Sequence, residues 1–175
     1  MDGMPSTKSE DRSTEIVGWR GLVGHLHYAP RAMLPMRSVD HLNLIEGVGV
    51  EGDRYANDLG HLTEIIRELG IRSKRDVSLF EQETIDALLR DHGISIGPSS
   101  HRRNITTVGV PLGHLIGRRF RVGDVIMEGS PAPPCKHMED VIGQPVTRLL
   151  INRGGLHARL LNGGTIRVGD TIELL

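Results

Sequence analysis

Cys135 is the single cysteine of a 175-residue chain, and it follows Pro133-Pro134 and precedes Lys136 and His137. The two prolines restrict the backbone before the sulfur. Neighbouring cations favour thiolate over thiol. A thiolate is both a nucleophile and a soft ligand for a soft metal centre. A lone cysteine is otherwise a small buried apolar residue, and the polar, stiff, cationic setting argues against that here. His137 adds an imidazole that can give or hold a proton near neutral pH.

Two arginine-rich strings stand elsewhere. Arg102, Arg103 and Asn104 precede a strongly β-prone run, and Arg153-Gly154-Gly155 is followed by His157 and Arg159. Guanidinium forks suit phosphate or carboxylate, and glycine lets backbone N–H groups approach an anion. The alternative for either string is a solvated face with surface ion pairs. Asp53 and Arg54 sit in the glycine-rich stretch 46–55. A turn with Asp53 capping the backbone and Arg54 paired to it stands beside a ligand role there. His25 and His27 share one side of a strand, but no third ligand has a recognisable metal spacing. An anion site beside the sulfur requires that the arginine strings face Cys135.

Short strands joined by tight turns must position these groups, since 22 glycines are scattered along the chain. Strands are expected over 16–28, 38–44, 76–80 and 104–108. A short helix is expected over 59–69. A second runs from Glu81 to His92, with Ile85, Leu88, Leu89 and His92 on one side, a Ser78/Glu81 capping box before it and Gly93 as its stop. Residues 111–116 suggest a helical turn, 131–139 a stiff loop, and 145–152 a helix with proline first. Phe120-Arg-Val-Gly-Asp-Val-Ile and Ile166-Arg-Val-Gly-Asp-Thr-Ile nearly repeat. Two copies are too few for a solenoid and read as two similar corners of one closed or nearly closed sheet.

Composition narrows the function classes. The length suits one domain, placed at 15–175 behind a tail over 1–14. Net charge is −1 and aromatics are 3%, so neither a polyanion partner nor a base-stacking platform for nucleic acid is expected. No run of about 18 apolar residues suggests a membrane span. A single cysteine allows no internal disulfide, which fits a reducing, cytoplasmic setting.

Taken in order, several segments resemble the MOSC family, named for the C-terminal domain of molybdenum cofactor sulfurase. They are Gly-Val-Glu-Gly-Asp-Arg-Tyr at 49–55, Asp-Val-Ser-Leu-Phe at 76–80, Arg-Arg-Asn-Ile-Thr-Thr at 102–107 and Leu-Ile-Gly-Arg-Arg-Phe-Arg-Val-Gly-Asp at 115–124. Pro-Cys at 134–135, Arg-Gly-Gly-Leu-His-Ala-Arg at 153–159 and Gly-Gly-Thr-Ile-Arg-Val-Gly-Asp at 163–170 complete the set. The resemblance implies a mainly β fold, a β-barrel with a few peripheral helices. It implies that Cys135 either ligates the molybdenum of a pterin cofactor (molybdopterin) or carries sulfur as a persulfide. Members that ligate molybdenum reduce N-hydroxylated compounds. Arg102, Arg103, Asn104, Arg153, Gly154, Gly155 and Arg159 would then hold the anionic cofactor, Asp53 and Arg54 would shape the cleft, and His137 would protonate the leaving oxygen. A separate reductase would supply electrons, or a desulfurase would supply sulfur. Larger members add an N-terminal barrel, a ferredoxin domain or a pyridoxal-phosphate desulfurase domain, and this chain has the size of the small standalone members. Three readings follow: a molybdenum-dependent oxidoreductase, a sulfur carrier, and a non-enzymatic module for a phosphorylated small molecule.

Overall fold

The computed structural model describes residues 18–60, 68–69 and 75–175. The expected tail over 1–14 and most of the expected helix over 59–69 lie outside these residues. In chain order the elements are β1 (Arg20–Tyr28), β2 (Arg37–Val39), β3 (His41–Ile45), β4 (Gly49–Val50), β5 (Val77–Glu81), α1 (Gln82–His92) and β6 (Ile105–Val108). A 3₁₀ turn (Leu112–Leu115) leads to β7 (Arg119–Val122) and β8 (Val125–Pro131), then α2 (Lys136–Ile142), α3 (Val146–Leu149), β9 (Leu156–Leu160), β10 (Gly164–Arg167) and β11 (Thr171–Leu174).

Seven strands close into a barrel in the order β1-β11-β7-β8-β9-β5-β6, with β6 pairing back onto β1, and β2 pairs with the C-terminal part of β1 on the edge that β11 occupies at its N-terminal part. The mainly β barrel read from the sequence is the fold observed. Among the paired strands of the described residues only β5 and β6 run parallel. A parallel pair needs a crossover, and α1 lies within that connection. A separate three-stranded sheet, β10-β3-β4, packs alongside.

Strand alternation fills the barrel. Val77 and Leu79 of β5, Leu156, Ala158 and Leu160 of β9, Phe120 and Val122 of β7, and Ile172 of β11 are buried in one cluster. The opposite face of β5 is buried too. Phe80 packs with Ile85, Leu88, Met138, Val146 and Leu150 in a second cluster. The helices therefore cover the outer surface of β5, and each fully buried large side chain there contributes about 2 kcal/mol.

Several expectations need correcting. The strand expected over 38–44 is two strands broken at Asp40, because β2 pairs with β1 while β3 joins the small sheet. There is no capping box: Ser78 lies within β5 and is committed to Asn104, whose Oδ1 accepts from both the backbone N–H (3.1 Å) and the hydroxyl (2.9 Å) of Ser78. Glu81 occupies the N-cap and accepts from Thr84 Oγ1 and from the backbone N–H of Leu112 instead. The buried side of α1 is Thr84, Ile85, Ala87 and Leu88, leaving Leu89 and His92 exposed. The helix does end at Gly93 with φ 66°. Helix α3 is only four residues long. The two Val-Gly-Asp copies differ in kind. The first joins β7 to β8 as a hairpin, whereas the second carries the chain from the small sheet into the barrel. They meet at one barrel end, where the Gly123 N–H donates to the Thr171 carbonyl at 2.9 Å.

Candidate functional site

The stretch expected as a stiff loop over 131–139 is shorter than that. Pro131 ends β8, residues 132–134 are irregular, and α2 begins straight after Cys135, which is its N-cap residue. Cys135 is exposed and lines a cleft of about 460 Å³ on the outer face of the barrel. Ser78, Asn104 and His157 floor this cleft, Lys136, His137 and Asp140 of α2 form one wall, and Ala32, Met33 and Tyr55 form another. Arg54, Arg75, Arg102 and Arg103 line it as well.

Arg103 is nine-tenths buried. Its Nη2 donates to the carbonyls of Pro133 and Gly154, both at 2.9 Å, and Nη1 donates to His157 Nε2 at 2.9 Å. It thus ties the segment before Cys135 to the turn before β9. No carboxylate pairs with it among the described residues, and its Nε has no hydrogen-bond partner. Burial pushes its pKa down to about 10, which the nearby Cys135 and Tyr55 groups partly oppose. Arg102 adopts left-handed backbone, φ 61°, a conformation that costs energy for a residue with a Cβ. The His101 ring bridges it: Nδ1 accepts from the Arg103 N–H at 3.0 Å. Arg102 Nη1 donates to the Leu34 carbonyl at 2.7 Å, tying the 30–36 segment to the cleft. Burial lowers the pKa of Arg102, with Arg54 the next cause.

Asp53 does not line the cleft. It is a buried organiser whose Oδ2 accepts from the Ala29 N–H and Arg54 Nη1, both at 3.1 Å, while Oδ1 accepts from the Tyr55 N–H. Asn104 Nδ2 reaches the same Oδ2 at 3.4 Å. Arg54 also donates to the Arg102 carbonyl. The turn-and-pair reading of Asp53-Arg54 therefore describes Asp53, while Arg54 reaches the cleft.

The structure thus gathers Cys135, His137, Arg102, Arg103, Asn104 and Arg54 of the sequence-derived set. It does not gather Arg153, Arg159 or the glycines. Arg153 is exposed. Arg159 points from β9 toward Glu128 of β8, 3.4 Å away. Gly154 and Gly155 serve close backbone approach. A Cβ on Gly154 would lie 2.4 Å from the Ala132 carbonyl oxygen, and one on Gly155, φ 93°, would lie 2.2 Å from that of Leu79. Gly154→Ala is accordingly expected to displace the segment before Cys135 and cost about 2 kcal/mol, read as a lower urea midpoint.

Lys136, read as the cation beside the sulfur, lines the cleft with it, whereas Tyr55, Arg75, Asp140, His101 and His157 were not expected as cleft residues. Strand alternation offered a signal for His157, since its neighbours Leu156 and Ala158 face the core. Burial and the Arg103 charge hold the His157 pKa at about 2, so its neutral Nε2 is free to accept from Arg103. Among the described residues no three His, Cys, Asp or Glu side chains lie together as a metal cage, and no helix is long and apolar enough to cross a membrane.

A closed seven-stranded barrel with one exposed cysteine at a helix start, facing buried arginines, defines the class. The MOSC domain family matches residues 49–173, and the chain belongs to that family. Its fold is similar to the YuaD protein from Bacillus subtilis, at 21% identity and TM-score 0.74 over 89% of this chain and 97% of that one. It is also similar to YiiM from Escherichia coli (18%, TM-score 0.59, 90% and 69%) and YiiM from Geobacillus stearothermophilus (14%, TM-score 0.65, 89% and 75%). Comparison with curated proteins finds no match.

Proposed function

We propose that the protein binds the molybdenum cofactor in this cleft and reduces N-hydroxylated compounds, with Cys135 as the protein's ligand to the metal. The observation that carries this reading is one exposed thiol in a cleft with two buried arginines that no carboxylate neutralises among the described residues. The donor set fits such a group. A single thiolate is a soft ligand, suited to a metal that arrives already held by its organic part, and a buried guanidinium without a counter-ion is stabilised by an anionic ligand.

Arg102 and Arg103 would hold the cofactor's anionic groups, and Asn104 and Arg54 would frame them. Once bound, the cofactor supplies two-electron reduction, with electrons delivered by a separate reductase. His137, on the first turn of α2, would hold the proton that the departing oxygen takes. The apolar edges of Ala32, Met33, Pro133 and Pro134 would keep water from the reacting end.

The test is elemental analysis of protein from a host that makes the cofactor, beside Cys135→Ala. Stoichiometric molybdenum in the wild type, reduced at least about tenfold in the variant, is expected for loss of a direct ligand. Wild-type protein without molybdenum from such a host would defeat the reading.

A second reading rests on the exposure of the thiol at the cleft mouth next to Lys136. Cys135 would carry a persulfide to an acceptor, with the cations stabilising the anionic sulfur. It predicts a mass gain of one sulfur atom on Cys135 after treatment with a desulfurase. The third, a binding module for a phosphorylated small molecule, predicts ligand affinity unchanged in Cys135→Ala.

A further inference from the structure

A thiol in a cationic cleft reacts selectively according to the charge of its partner. Among the described residues five cations line this cleft, Arg54, Arg75, Arg102, Arg103 and Lys136, against one carboxylate, Asp140. Arg54 is paired with Asp53. Lys136 is paired with Glu139 and lies 3.7 Å from Asp140. Arg102 and Arg103 have no carboxylate partner among the described residues, and the nine-tenths-buried Arg103 leaves Nε without an acceptor. That buried guanidinium, without a carboxylate partner among the described residues, is the observation beside the cysteine that points to an anionic occupant. The sulfur itself is exposed, so an attacking geometry is open from solvent.

We propose that Cys135 in the cofactor-free protein is a site of mixed-disulfide formation with small disulfides that carry carboxylates, glutathione disulfide being the probe of that class. The Cys135 thiolate attacks one sulfur of the disulfide. A Cys135–sulfur bond forms, the original S–S bond breaks, and the other half leaves as a thiolate that takes up the proton Cys135 gave to solvent. Cys135 is oxidised, the departing half is reduced, and no further oxidant is needed. The carboxylates of the attached half lie among the Arg102 and Arg103 charges. On the proposed function above, the adduct would cap the sulfur that otherwise ligates the metal, but its formation does not depend on that reading.

The test compares glutathione disulfide with cystamine, a cationic disulfide, on reduced, full-length, molybdenum-free protein, with intact mass as the readout. Glutathione disulfide is expected to react at least about tenfold faster at low salt, with the ratio shrinking toward one in about 1 M salt. Lys136→Glu, at an exposed position, is expected to slow the anionic disulfide and speed the cationic one. Cys135→Ala is expected to take up no adduct. Equal rates for the two disulfides at low salt, faster reaction with cystamine, or no adduct at Cys135 would overturn the proposal. Because metal content is measured on a separate preparation, failure here and failure of the molybdenum reading are distinguishable.

Discussion

Asp53→Ala is expected to destabilise the fold by about 3–5 kcal/mol, the cost of stripping one partner from a buried ion pair. Asp53 and Arg54 are both buried, and their contact at 3.1 Å is the buried carboxylate–guanidinium pair of the described residues. Removing the carboxylate leaves the Arg54 guanidinium without its counter-ion. It also orphans the backbone N–H of Ala29, which has Asp53 Oδ2 as its acceptor, and an unsatisfied buried donor adds about 1–3 kcal/mol. Asp53→Asn keeps an acceptor oxygen for Ala29 and is expected to cost roughly half as much. Urea unfolding of the three proteins checks the order. A loss below about 1 kcal/mol for Asp53→Ala would mean that the network around Asn104 and Arg102 holds without its central charge. Since Asp53 does not line the cleft, its effect on any bound anion would pass through Arg54 and the Arg102 carbonyl that Arg54 holds at 3.0 Å.

That case illustrates what the sequence could convey about the site. Residue type and local spacing identified Cys135, Arg102 and Arg103, because a proline-stiffened cysteine beside cations and an Arg-Arg-Asn run before a β-prone stretch carry their chemistry locally. The strands β5 and β6 were legible from branched and aromatic residues. What spacing cannot convey is which end and which face of a barrel a residue occupies. His157 and Arg159 are two apart on β9 and share a face, yet His157 meets Ser78 across the sheet while Arg159 lies opposite Glu128. One strand step is enough to move a guanidinium out of the cleft. The glycine pair at 154–155 looked like an anion cradle, but its absent Cβ atoms make room for the backbone of Ala132 and of Leu79. The break at Asp40 lies in the pairing, β2 with β1 and β3 with β10, which local residue types do not convey. In β1, a register shift between Val23 and His25 disturbs the alternation that a sequence reading assumes, so Leu26 and His27 are both buried.

Between pH 7.5 and 5.5 the fold is expected to lose about 4 kcal/mol of stability, from three buried histidines that stay neutral. Burial, the largest cause in each case, lowers His27 to about 4 and His157 to about 2, and holds His101 well below its ordinary value. The hydrogen bonds agree with neutral rings. His101 Nδ1 accepts from the Arg103 N–H, so its Nε2–H donates to Thr106 Oγ1 at 2.8 Å. His157 Nε2 accepts from Arg103. In the unfolded chain all three titrate near 6.5. As pH falls below that value the unfolded state gains protons that the native state refuses, so stability drops on acidification and is fully present above about pH 7.5. Each histidine contributes about 1.4 kcal/mol in total across that two-unit window, before most carboxylates begin to titrate. His157→Gln retains an acceptor oxygen for Arg103 and removes one titrating group, so the drop should shrink by about a third. Urea midpoints at the two pH values for wild type and variant decide the matter. A stability that stays flat from pH 7.5 to 5.5 would mean that the rings take up protons in the folded state. The Arg103 N–H and guanidinium would then have lost the imidazole acceptors that fix them beside Cys135.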